Sequence, residues 1–109
     1  MVGELLDRAR AMIESDKEQA SAFSTRYKFV LHGEDTRVFV VNLMDDPGIT
    51  DGDGEADCTI RMSAADFIRL AEGKADSRML FFSGKLKVDG DMGLALKLKK
   101  LLQSIFKMQ

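Results

Sequence analysis

Few side chains in this sequence are equipped for covalent chemistry. His32 is the single histidine and Cys58 the single cysteine among 109 residues. An enzyme site needs a nucleophile, a base or a metal within mutual reach. His32 ends an alternating segment just before Gly33-Glu34-Asp35, where it reads as a turn residue. Cys58 falls on the apolar side of another alternating segment, where a thiol behaves as a small hydrophobe. No Gly-x-Ser-x-Gly elbow, Cys-x-x-Cys pair, phosphate-binding loop or dinucleotide fingerprint occurs. Asp51-Gly52-Asp53-Gly54 invites a calcium reading. A loop counted from Asp51 would want glycine at its sixth position and glutamate at its twelfth, and has Ala56 and Met62 instead. The expectation is a chain with no catalytic set, no metal and no cofactor. An enzyme would have only His32 as an obvious base.

What the chain has in quantity is soft apolar surface, with seven Met and seven Phe. Met79, Met92 and Met108, with Phe67, Phe81, Phe82 and Phe106, gather in the second half. Most of these must be core, but methionine also repacks cheaply around apolar ligands of variable shape.

The elements that would position these groups follow from periodicity. Val2, Leu5, Leu6, Ala9, Met12 and Ile13 recur at helical spacing, predicting an amphipathic helix over 2–15. A connecting turn or second short helix follows over 16–25. Tyr27, Phe29 and Leu31 alternate with Lys28, Val30 and His32, and Phe39, Val41 and Leu43 with Val38 and Val40. This is an antiparallel hairpin of strands over 26–32 and 36–44, the second central and covered on both faces. Residues 45–57 read as a polar loop. Cys58, Ile60 and Met62 mark a third strand, and Ser63-Ala64-Ala65-Asp66 caps a helix that ends at Gly73. Met79-Leu80-Phe81-Phe82 is expected as a brief strand and Lys85 to Asp89 as another, with a kink at Ser83-Gly84. Gly90 suits a sharp strand exit, and Asp91 stands at a helix N-cap. From Met92 one last helix is expected, with Leu94, Ala95, Leu98, Leu101, Leu102, Ile105, Phe106 and Met108 in one arc and lysines opposite. Leu96 alone falls among the lysines. A single exposed leucine is ordinary; its functional reading is a contact with lipid, membrane or a second subunit.

A chain of this length predicts one domain, 1–109. The apolar fraction of 45% and charged fraction of 31% are those of a soluble globular protein. Glu4, Asp7 and Arg8 make the start unlike a secretory signal, the chain ends Lys107-Met108-Gln109 rather than in a peroxisomal address, and one cysteine suits a reducing setting. A cytoplasmic location is expected. The net charge of −2 hides an asymmetry: residues 1–73 carry −7 and residues 74–109 carry +5. A basic end beside an apolar helix favours transient contact with an anionic membrane surface or a phosphate-bearing lipid. The acidic pI of 5.4 argues against nucleic acid.

Gly84-Lys85-Leu86-Lys87-Val88-Asp89-Gly90-Asp91-Met92-Gly93-Leu94-Ala95-Leu96-Lys97-Leu98 resembles the C-terminal signature of the sterol carrier protein 2 family, almost without a break. Weaker likeness reaches back through Cys58 to Leu70. Asp91 stands where asparagine is frequent. The resemblance implies an α/β (α+β) fold: a five-stranded, mostly antiparallel sheet covered by helices, with a hydrophobic tunnel that takes sterols, fatty acids or fatty acyl-CoA without covalent chemistry. It implies lining residues Ile60, Met62, Phe67, Leu70, Phe81, Leu86, Met92, Leu98, Leu101, Leu102, Ile105 and Phe106. Ser83 or Lys85 would meet a headgroup. The competing reading is an interaction or dimerisation module that uses the C-terminal helix, including a weak homodimer.

Overall fold

The computed structural model describes residues 2–44 and 46–106, and the side chains within 2–102. Helix α1 (Val2–Ser15) is amphipathic as its spacing predicts, burying Val2, Leu5, Leu6, Ala9 and Ile13. Asp16 caps the short α2 (Lys17–Ser21) by accepting from the Gln19 amide. Strands β1 (Arg26–His32) and β2 (Arg37–Asn42) form the expected hairpin, with Phe29 opposite Phe39. Strand β4 (Cys58–Ser63) lies parallel to β1 and pairs Tyr27 with Cys58. Strand β5 (Lys87–Gly90) closes the far edge antiparallel to β4.

The remaining strand is not the one the sequence suggests. Gly48–Asp51, expected as loop, forms β3 and pairs antiparallel with β2. Met79–Phe82, expected as strand, belongs to helix α4 (Ser77–Phe82). Asp76 caps α4 by accepting from the Arg78 amide at 2.9 Å. The Leu80 carbonyl then accepts from the amides of Lys85 and Leu86 and the Ser83 hydroxyl, which turns the chain back. The sheet is therefore five-stranded and mixed, in order β3-β2-β1-β4-β5, with three of its four pairings antiparallel.

The inner face carries Tyr27, Phe29, Leu31, Phe39, Val41, Cys58, Ile60 and Met62, all buried. Helix α3 (Ala64–Ala71) packs over β1 and β4, its N-cap Ser63 accepting from the Asp66 amide. Phe67 meets Phe29 and Phe39 edge to face, at centroid distances of 5.5 and 5.7 Å. On the outer face the β3–β4 connection crosses β2. Lys28 pairs with Asp53 at 2.8 Å, and Val40 is covered beside Gly54. That cover, rather than a second layer of helices, explains why β2 is apolar on both sides. The would-be calcium carboxylates are engaged with cations here, Asp51 with Arg10 and Asp53 with Lys28. The hydrogen bond from Lys28 holds the Asp53 carboxyl below its ordinary value.

The last helix is two. Helix α5 (Met92–Leu96) rests on β4 and β5, whereas α6 (Leu98–Phe106) packs on α1 and α3. One straight rod cannot serve both surfaces, and the break falls at Lys97, whose amide is drawn to the Leu94 and Ala95 carbonyls. Met108 lies outside the described residues.

Gly90 is fixed twice over. Its φ is +110°, and a Cβ there would lie 2.6 Å from the Asp57 carbonyl oxygen. Gly90→Ala is expected to cost about 3 kcal/mol, from left-handed strain plus a backbone clash. Urea unfolding of the two proteins measures it.

Candidate functional site

Where β5 ends the sheet, the inner side chains become short. Val88 stands opposite Ile60 at the edge, and Ala95 comes down from α5. The space left is a half-enclosed cleft of about 130 Å³ between α4, β5, α5 and the start of α6. Leu86, Val88 and Leu98 form its floor; Phe81, Phe82, Met92, Ala95 and Leu96 form its walls and rim. Its polar atoms come from Ser77, Arg78 and Lys99. Two wider depressions exist, of about 480 and 540 Å³. The first is bordered by Leu70, Lys74, Asp76, Lys99 and Leu102, and the second by His32, Arg61, Asp66, Lys85 and Lys87. Both are more open and are bordered by charged side chains, whereas the smaller cleft is lined mostly by apolar ones.

Of the residues expected to line a tunnel, Phe81, Leu86, Met92 and Leu98 line this cleft. Ile60, Met62, Phe67, Leu70, Leu101 and Leu102 are buried in the core. Ile60 lies immediately behind the wall, as the register partner of Val88. The side chains of Ile105 and Phe106 lie outside the described residues. Ser83 donates to the Leu80 carbonyl, and Lys85 borders the outer depression, so neither lines the cleft. The periodicity gave no hint of Phe82 as a wall, because α4 was hidden in a four-residue apolar run. Leu96 was visible in the sequence as the one residue out of place.

Among the described residues no histidine, cysteine or carboxylate lines the cleft. His32 is exposed at the outer end of β1, on the opposite face of the sheet. Cys58 is buried, and burial, with the charges of Asp91, Asp57 and Asp89, pushes its thiol up to about 11. Burial likewise raises the Tyr27 hydroxyl to about 12, assisted by Cys58 and Asp91. That hydroxyl has a structural use: it donates to the Leu94 carbonyl at 2.7 Å. It ties α5, the lid of the cleft, to the central strand. The Asp91 carboxylate caps α5 at the Gly93 amide.

The sequence pattern of the SCP-2 sterol transfer family matches residues 4–103, and the chain belongs to that family. It is 44% identical over 96 residues to hydroxysteroid dehydrogenase-like protein 2 of Xenopus laevis, covering 83% of this chain and 23% of that protein. The chain thus spans about a quarter of that relative. Sterol carrier protein 2 from Yarrowia lipolytica, solved in its apo form, superposes with a TM-score of 0.83 at 27% identity, covering 92% of this chain and 88% of the other. Sterol carrier protein 2 from Aedes aegypti, solved with the C16 fatty acid palmitate, has a TM-score of 0.75 at 19% identity and covers 94% of each chain.

For both buried acids the folded state favours the neutral form. The stability this provides is complete below the ordinary values of 9 for the thiol and 10 for the hydroxyl. It is lost as pH rises through about 11 and about 12 respectively. The urea midpoint should therefore fall across that alkaline window, and Cys58→Ala should flatten the lower part of the decline. Tyr27→Phe should remove the upper part, cost about 1–2 kcal/mol at neutral pH, and speed amide exchange within α5.

Proposed function

We propose that this chain binds single lipid molecules, whether fatty acid, fatty acyl-CoA or sterol, by their apolar part in the α4–β5–α5–α6 cleft, and carries them without catalysis. The observation that supports this most directly is the cleft wall: Leu86, Val88, Leu98, Phe81 and Met92 converge on space that no core side chain fills. Family membership and the palmitate held by the Aedes aegypti protein favour the same ligand class. A lining that is apolar apart from Ser77, Arg78 and Lys99, with no histidine, cysteine or carboxylate among the described residues, favours a carrier over an enzyme. A cytoplasmic, reducing setting suits the buried lone thiol.

The cleft is smaller than its cargo. Sites for small ligands usually measure about 300–1,000 Å³, against about 130 Å³ here. Loading therefore requires α5 to lift from β5 and α4 to swing aside, turning the cleft into the tunnel expected of the fold. The driving force is ample. Each methylene taken out of water contributes about 0.8 kcal/mol, so a twelve-carbon tail gains roughly 10 kcal/mol before ordering and association costs. Enough remains for micromolar to nanomolar affinity.

The test is calorimetric titration of delipidated protein with saturated fatty acids of increasing length. Affinity should rise about fourfold per methylene and then plateau once the opened cavity is filled. Val88→Trp, which fills the cleft from its floor, should weaken binding at least tenfold with the circular dichroism spectrum retained. Absence of saturable uptake of fatty acid, acyl-CoA and sterol alike sinks the reading.

A further inference from the structure

The outer face of the sheet carries a second concave surface. It is the depression of about 540 Å³ bordered by His32, Arg61, Ser63, Asp66, Lys85 and Lys87. Its volume falls within the range of about 300–1,000 Å³ usual for small-ligand sites. Strand alternation brings these side chains together. Leu31, Ile60 and Met62 are buried in the core and Val88 lines the cleft, so their neighbours His32, Arg61, Ser63 and Lys87 face the other way. The register then sets His32 beside Ser63 and Arg61 beside Lys87. Leu86 lines the cleft while Lys85 and Lys87 border the depression, so the edge strand stands between the two hollows.

The charge around this depression is not balanced from within. Like charges directly opposite each other on neighbouring strands destabilise a sheet. Arg61 and Lys87 form such a pair, and Lys85 stands two residues before Lys87. Arg61 reaches one carboxylate, Asp89, and only at 4.0 Å. Lys85 and Lys87 have none within that distance among the described residues. Lys28, on the same outer face, shows the contrast, since Asp53 neutralises it at 2.8 Å. The one carboxylate on the rim, Asp66, has a side chain only 15% exposed and pairs with Arg69 at 3.5 Å. The Ser63 hydroxyl accepts from the Asp66 amide at 3.1 Å, and among the described residues its own proton is donated to no protein group.

These groups define what they would hold. Three cations and a free hydroxyl proton around one hollow fit an anion with more than one negative charge and several acceptor oxygens. A phosphate or diphosphate has both. The Arg61 guanidinium meets two of its oxygens with parallel N–H bonds, and the lysines add point charge. A single carboxylate would leave two of the cations uncompensated. No phenylalanine or tyrosine borders the depression among the described residues, so recognition is of the phosphates and not of an attached base. We infer that the depression formed by His32, Arg61, Ser63, Lys85 and Lys87 is a second binding site, specific for a diphosphate group. The site stands whether or not the cleft carries a lipid.

The experiment is calorimetric titration of delipidated protein with inorganic diphosphate at low and high salt, with amide chemical shifts followed by NMR. Binding should be saturable, fade at high salt, and shift the amides of His32, Arg61, Ser63, Lys85 and Lys87 while leaving those of Lys97, Lys99 and Lys100 in place. Lys85→Glu and Lys87→Glu should each weaken it at least about tenfold, the loss expected for one charge-assisted contact. Lys87→Glu sets an opposite charge against Arg61, so its urea midpoint should rise, which separates lost binding from lost folding. Protein already saturated with dodecanoic acid should bind diphosphate as tightly as empty protein. Dodecanoyl-CoA, whose head carries a diphosphate, distinguishes the sources. If it displaces inorganic diphosphate, the depression seats the head of an acyl ligand; if both bind together, it seats a separate soluble molecule. Either result supports the site. No saturable binding at low salt, affinity unchanged in both lysine variants, or shifts spread over every lysine overturns the inference. Failure to take up any lipid while diphosphate still binds counts against the carrier reading alone.

Discussion

At Gly90 the chain passes so near the Asp57 backbone that only a hydrogen fits on its Cα. That approach fixes the cleft side of the molecule. The Asp91 amide reaches the Asp57 carbonyl, and the Asp57 carboxylate accepts from the Thr25 hydroxyl and the Arg26 amide. The beginnings of β1 and β4 and the end of β5 are therefore knotted at one point. From it α5 departs with its N-cap already in place. The cleft exists because α5 leaves there at an angle that lays it over the edge strand, where Val88 and Ala95 are too small to close the gap.

The remainder of the inner face offers no such gap. Phe29, Phe39 and Phe67 pack within 5.2–5.7 Å of one another and fill the space between the central strands and α3. Apolar burial is thus divided between a solid aromatic centre, which supplies stability, and a thinly filled edge, which supplies room. Ile60 and Met62 belong to the solid part, although Ile60 is the register partner of Val88 in the cleft.

This division shows what a linear pattern reveals. Helix α1 and the β1–β2 hairpin were legible because their periods run long enough to exclude alternatives. The turn at Gly90 and Asp91 was legible because each residue type suits one backbone state. Met79-Leu80-Phe81-Phe82 was not, since four consecutive apolar residues fit a strand or a helix equally, and the deciding feature was a cap outside the run, Asp76. Gly48–Asp51 was hidden because an edge strand with one core-facing residue, Ile49, has almost no alternation to show. For the site, Leu86 and Leu98 could be found from the inward phase of their elements. Ile60, Met62 and Phe67 have the same phase. Only packing in three dimensions separates a residue that lines a space from one that fills it.

The break at Lys97 separates α5 from α6, and with it two clocks. Helix α6 is bound into the core against α1 and α3, so its release is tantamount to global unfolding. Helix α5 buries no residue fully, and among the described residues one side-chain hydrogen bond, from Tyr27, holds it to the sheet. Opening it is a local event whose free energy lies far below that of the whole fold. In the carrier role proposed above, residence time of a cargo and lifetime of the protein are consequently independent variables. Substitutions in the five residues of α5 would then retune the first with little effect on the second, in a chain whose core is already fixed.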